Sequence, residues 1–165
     1  MVKRQVFFSF EYKKDCQRAA RIRSMGKVDN SSTFSDNDWE EVKSKDEESI
    51  KRWINNQLIY RSVLVVLIGE TTYSRKWVKY EIERAYKLGK GLVGIYIHNL
   101  VDLQGNQTKK GYNPFDYVYA ENGKPLSYYV TSYTSPYSQS QHVYNDIMDN
   151  IEDLIENAYL NSGKY

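Results

Sequence analysis

Residues 63–97 read VLVVLIGETTYSRKWVKYEIERAYKLGKGLVGIYI. Two continuous apolar runs, VLVVLI at 63–68 and LVGIYI at 92–97, bracket a polar segment. Runs this short, rich in β-branched residues and without polar alternation, read as strands covered on both faces. Between them Val78, Ile82, Ala85 and Tyr86 recur at helical spacing, and Gly89 supplies a helix stop. Strand, helix and strand in succession predict two parallel strands joined by a right-handed crossover.

The rest of the chain extends this pattern. VFFSF at 6–10 reads as a first strand, residues 32–35 as a weaker second, and residues 126–130 as a fifth. Tyr12, Cys16, Ala19, Ala20 and Arg23 share one helical face. Ile50, Trp53, Ile54, Gln57 and Leu58 form another, with Ser44 and Glu47 placed as a capping box. Val143, Ile147, Ile151, Leu154, Ile155 and Ala158 mark an amphipathic helix over about 140–159. The economical arrangement is α/β: a flavodoxin-like central parallel sheet of order 2-1-3-4-5 with helices on both faces. Its topological switch lies between strands 1 and 3, where such sheets bind ligands beyond the carboxyl ends of their strands. An irregular loop spans about 99–125, long enough to be functional or ordered by its own side chains. No repeat or linker divides the chain, which is expected to be a single domain over residues 1–165.

The 165 residues carry a net charge of +2, with lysines and arginines scattered among acids, so the composition predicts no nucleic-acid partner. The longest apolar run is far shorter than the ~20 residues of a membrane span, and the amino-terminal run is too short for a signal peptide. One cysteine, Cys16, excludes an internal disulfide, and with two histidines it cannot complete a four-ligand structural zinc site. The expectation is a soluble cytoplasmic protein with no membrane association and no metal site. The sixteen tyrosines identify no ligand.

No Walker loop, GxGxxG, HExxH or CxxC is present, and His98 and His142 are isolated. Carboxylates are left as the candidate chemistry. At ~100° per residue, setting Glu81 at zero puts Val78, Ile82 and Ala85 on one side and Trp77 and Ser74 close by. Glu81 therefore borders the apolar stripe. Glu83 falls near the opposite side with Lys79 and Lys87 at i−4 and i+4, the profile of a solvated charge with helical ion pairs. A carboxylate at the edge of a core stripe is costly unless it is paired or lines a cleft, and both readings stay open for Glu81.

VFFSFEY at 6–12, LIGETTYSRKWVKYEIERA at 67–85 and GIYIHNL at 94–100 resemble TIR domains. GNQTKKGYNPFDYV at 105–118 and FSDNDWEEV at 34–42 are similar to one bacterial branch, the ThsB-type proteins of the Thoeris antiphage system. The resemblance covers roughly residues 3–119. It implies a flavodoxin-like fold and cleavage of NAD at the nicotinamide–ribose bond, NAD being substrate, with no cofactor. It also implies an ADP-ribose-derived signal, cyclic or conjugated, that activates a partner effector encoded nearby, with a phage component as trigger. The glutamate that the family places one turn after a tryptophan maps onto Glu81.

A carboxylate there suits an oxocarbenium-like ribose, and Trp77 would offer an aromatic wall. Ser9, Phe10, Tyr12 and Asp36 complete the expected substrate-binding set, while Trp39 reads equally as a packing anchor. Glu11 and Tyr12 stand where some NAD-cleaving TIR domains carry a basic residue, so the phosphate contacts remain open among Lys13, Lys14 and Lys43. The rival readings are a non-catalytic TIR interaction module and a nucleotide-binding protein without turnover. Homo-oligomerisation is left open.

Overall fold

In the computed structural model, which describes residues 3–29 and 42–165, strands and helices alternate around one sheet. The elements are β1 (Val6–Ser9), α1 (Tyr12–Arg23), α2 (Glu47–Ile59), β2 (Val63–Ile68), α3 (Lys76–Lys87), β3 (Gly91–Tyr96), β4 (Ser132–Tyr133) and α4 (Ser140–Leu160). All neighbouring strands are parallel, in the order β1-β2-β3-β4. These neighbours are those of the expected order with its second strand left out. That strand, expected at 32–35, lies outside the described residues.

The apolar runs behave as two-faced strands. All six residues of β2 and all six of β3 are buried. Val63, Val65 and Leu67 point into a layer with Ala19 and Ile22 of α1 and Val143, Ile147, Ile151 and Ile155 of α4. Leu64, Val66 and Ile68 point into the other, with Ile54 and Leu58 of α2 and Val78, Ile82 and Ala85 of α3. Each side chain of this size contributes about 1.5–3 kcal/mol on full burial, so β2 is the spine of both cores.

Gly89 ends α3 as expected. It has φ +69°, its N–H donates to Tyr86 O at 3.0 Å, and Lys90 N–H donates to Ala85 O at 3.0 Å, the paired bonds of a Schellman ending.

Three expectations are corrected. α2 is capped by Asp46, which accepts from Ser49 N–H at 2.8 Å, and not by Ser44. The fourth described strand is the short Ser132–Tyr133, while residues Leu126–Tyr128 form a 3-10 turn. Pro125 precedes that turn and Leu126 is fully buried beneath it, so the apolar character of 126–130 reflects packing and not a strand. On α1 the buried stripe is Asp15, Arg18, Ala19 and Ile22; Cys16 is half-buried and Ala20 exposed. Two charged residues occupy interior positions there because they neutralise each other.

The 99–125 loop is ordered by its own side chains. Arg18 reaches out of α1 and donates to Leu100 O at 2.7 Å and Asn106 O at 2.6 Å. Asn113 accepts from Phe115 N–H and caps the turn Pro114–Tyr117, and Phe115 is fully buried. Gly111 lies so close to the carbonyls of Gly69 and Glu70 that a Cβ would collide with both. The loop thereby packs on the segment that leads from β2 into α3. Among the described residues no helix is long and apolar enough to cross a membrane.

Candidate active site

The site forms where the ends of β1 and β2 diverge and α3 begins. Backbone pairing sets Ser9 beside Val66. Alternation along β1 sends Phe7 and Ser9 toward the α2/α3 layer, and Phe8 and Phe10 toward the α1/α4 layer. Ser9 is 1% exposed, and its Oγ has no hydrogen-bond partner among the described residues.

Glu81 faces the same space from the second turn of α3. It is 4% exposed and forms no ion pair among the described residues. Burial pushes its pKa well up, and the nearby Ser9 hydroxyl draws it back. The Ser9 proton is thus close enough to act on the carboxyl, without yet making a well-formed hydrogen bond. An acid held this way resists ionisation until something polar or cationic reaches it. The edge position expected from helical rotation has become full burial.

Trp77 lies one turn before Glu81, half-buried against the α2/α3 core, with its ring edge-on to Tyr80 at 5.7 Å and Lys76 over it at 5.1 Å. Tyr73, just before α3, stacks on Tyr117 at 5.6 Å and meets Tyr112 edge-on at 5.0 Å. The long loop therefore braces the approach to the Glu81 helix.

The other expected residues divide. Phe10 packs across the sheet from Glu81, 6.3 Å from the Tyr12 ring and 5.8 Å below the Arg23 guanidinium. Tyr12 opens α1, and Lys43 lies over its ring at 5.1 Å. Lys13 and Lys14 are exposed on α1. Asp36 and Trp39 lie outside the described residues. The structure brings Ser9 and Glu81 together, sets Trp77 one turn earlier on α3, and leaves Phe10 in the other layer.

Glu83 departs from its expected role. It is half-buried, forms no ion pair with Lys79 or Lys87, and lines with both of them a separate groove of ≈ 330 Å³ under Tyr86, Tyr117 and Tyr119. The loop at 117–121 folds over that side of α3 and removes the open solvent that the rotation argument assumed.

Two further carboxylates at the switch were not singled out by sequence reasoning. Glu11, 7% exposed, accepts a close hydrogen bond from the Thr71 hydroxyl and pairs with Arg75 Nη1 at 3.6 Å. Asp15, 2% exposed, pairs with Arg18 Nη1 at 3.0 Å and fills the space beside Gly69 where a Cβ would otherwise lie. The only hint in the sequence was acidic residues close behind a strand end. No grouping of histidine, cysteine or carboxylates among the described residues could hold a metal ion.

Residues 7–102 match the family model of the Thoeris protein ThsB, TIR-like domain. A protein of Bacillus cereus (strain MSX-D12) named "Putative cyclic ADP-D-ribose synthase ThsB1" is 39% identical over 134 residues, covering 76% of this chain and 70% of that protein. Both matches agree with the α/β fold, and the chain belongs to the ThsB family of Thoeris TIR-like proteins.

Proposed function

We propose that this protein is an NAD-cleaving enzyme of antiphage defence that makes a cyclic ADP-ribose-type signal, with Glu81 as its catalytic carboxylate. The observation that carries the reading is Glu81 itself, a buried acid without a cation among the described residues, facing a buried hydroxyl at the carboxyl end of the sheet, where such folds bind ligands. The Bacillus cereus relative is named for a cyclic ADP-D-ribose product, which NAD yields on loss of nicotinamide.

The chemistry follows from the charges. NAD carries a cationic nicotinamide ring on its ribose. As that cation enters, Glu81 ionises and the Ser9 hydroxyl turns to donate to the carboxylate. The bond between nicotinamide nitrogen and ribose C1′ breaks, and its electron pair leaves with nicotinamide. Positive charge is left on C1′ and the ring oxygen, and the Glu81 carboxylate stabilises it across a water-poor gap. A nucleophile of the same molecule, an adenine nitrogen or a ribose hydroxyl, then attacks C1′ and one proton is released, giving a cyclic product. Attack by water instead gives ADP-ribose and a proton. Trp77 walls the site on the α3 side.

The cytoplasmic setting, the phage trigger, the effector reached through the signal, and the reading of residues 1–165 as one TIR-like domain belong to this proposal. The test is release of nicotinamide from NAD by the full chain, in lysate of phage-infected cells, with mass analysis of the nucleotide. A product one water lighter than ADP-ribose is expected. Glu81→Gln should lower the rate about 10²–10³-fold. Saturable NAD binding with no nicotinamide released, in infected lysate as well, would instead assign a non-catalytic binding role.

A further inference from the structure

If NAD is the substrate, its diphosphate needs a cationic partner, and the turn after β1 offers the acid Glu11. The structure supplies a cation from the opposite side. Ser9 and Glu11 are two residues apart at the end of β1, on one rail of the switch. Glu81 and Arg75 are six residues apart on the other rail, α3 and the residue just before it. α3 returns antiparallel to the strands, so Ser9 to Glu11 and Glu81 to Arg75 run in the same direction. Two rungs join the rails: Ser9 with Glu81 below, and Glu11 with Arg75 above. The spacing between rungs is about 6.6 Å along the strand side and about 9 Å along the helix side. That interval suits a ribose and its 5′-phosphate.

Arg75 is also prepared for an anion. Glu11 is almost fully buried and held by Thr71, so its position is determined. Its contact with Arg75 is a loose 3.6 Å through one guanidinium nitrogen, and the Arg75 side chain is 55% exposed. Arg75 donates no side-chain hydrogen bond among the described residues. Most of its five N–H donors are therefore free, while its carboxylate tether limits where they point. A planar guanidinium so placed matches phosphate oxygens in pairs. Of the lysines considered earlier, Lys13 and Lys14 stand exposed on α1, and Lys43 lies over Tyr12.

We propose that Arg75, oriented by Glu11, binds the phosphate attached to the ribose whose C1′ lies at Glu81. This rests on the reading of the site as one for NAD, and its ligand class is a ribosyl 5′-phosphate or diphosphate carrying a base at C1′.

The test compares nicotinamide mononucleotide with nicotinamide riboside, which differ only in that phosphate. Calorimetric titration uses the full chain bearing Glu81→Gln, so that binding is read without turnover. The mononucleotide is expected to bind at least about tenfold tighter than the riboside. Adding Arg75→Gln should collapse this preference to within about threefold and leave riboside affinity unchanged. Arg75→Lys should keep part of it, as a point charge without the paired geometry. Glu11→Gln should lower the mononucleotide affinity several-fold, since Arg75 remains but is no longer steered.

A preference that survives Arg75→Gln overturns the proposal, as does an equal loss of both ligands or no binding of either at millimolar concentration. Failure of the catalytic reading shows elsewhere, as nicotinamide release that persists in Glu81→Gln while the phosphate preference still depends on Arg75.

Discussion

Asp15 and Glu81 are both buried carboxylates beside the same sheet, 2% and 4% exposed, and they stand on opposite layers of it. Asp15 has Arg18 at 3.0 Å, and Arg18 in turn donates to Lys14 O, Leu100 O and Asn106 O. Among the described residues Glu81 has only a serine hydroxyl that is not yet bonded to it. Burial raises both pKa values, but at Asp15 the guanidinium pulls the value back, whereas at Glu81 no charge opposes desolvation. A buried acid with a cation holds a fold together. A buried acid without one is a cost to the fold, which a cationic ligand would offset.

The largest effect should fall on the paired acid. Asp15→Ala leaves the buried Arg18 guanidinium to the more distant Asp102, at 3.9 Å, and removing one member of a buried pair costs up to about 3–5 kcal/mol. Denaturant unfolding followed by far-ultraviolet dichroism should show that loss. It should also show partial recovery when Arg18→Met is added, because the stranded charge is gone. A loss below about 1 kcal/mol for Asp15→Ala would mean that the pair does not carry the loop 100–106 as described.

The unpaired acid should reveal itself through pH. The proposed mechanism needs Glu81 ionised, so kcat/KM should rise with pH through its raised pKa, placing the acidic limb above the ordinary carboxylate range. The limb in kcat should lie lower, since the bound cationic ring favours the carboxylate. Ser9→Ala removes the one group among the described residues that stabilises the charged form. It should move the kcat/KM limb further up and lower kcat/KM on its acidic side by about 10–100-fold, in line with the roughly 1.5–3 kcal/mol of a hydrogen bond to a charge. Ser9→Thr should retain most of the effect of serine. A limb unmoved by Ser9→Ala would separate the two residues.

Smaller and opposite in sign is the stability change in Glu81→Gln. A carboxylate whose folded pKa is raised contributes nothing unfavourable below its unfolded value, near 4.5. Above that, the unfolded chain ionises while the folded one resists, and stability falls as pH climbs toward the folded pKa. Glu81→Gln escapes this loss. It should match wild type near pH 4 and gain about 0.5–2 kcal/mol at neutral pH, which is about 2–4 °C in Tm per kcal/mol for a chain of this size. A variant less stable than wild type at neutral pH would show that Glu81 has a structural partner.

These contrasts were unequally visible in the sequence. The two apolar runs at 63–68 and 92–97 announced the sheet because continuous β-branched runs have few alternatives, and helical rotation separated Glu81 from its neighbours. Asp15 and Arg18 were invisible to the same arithmetic, since hydropathy treats each charge as exposed and cannot see a partner that neutralises it. Glu11 and Arg75 are 64 positions apart, and only the closing of β1 against β2 brings them together. The strand Ser132–Tyr133 has two half-buried polar-faced residues and no periodicity to read.

Glu83 offers the smallest effect and the sharpest control for Glu81. Both are glutamates on α3, and both are withdrawn from bulk water. Glu83 faces the groove beside Tyr117 and Tyr119, on the side of the helix away from Ser9. It is less buried than Glu81 and flanked by two lysines that do not contact it within ion-pair distance. Glu83→Gln should therefore leave nicotinamide release within about twofold of wild type and stability within about 0.5 kcal/mol. If the outer face of α3 also serves the reaction, Glu83→Gln will depress kcat while the acidic limb of kcat/KM stays in place. That combination would locate the fault in the groove, because a disturbed Glu81 must move the limb.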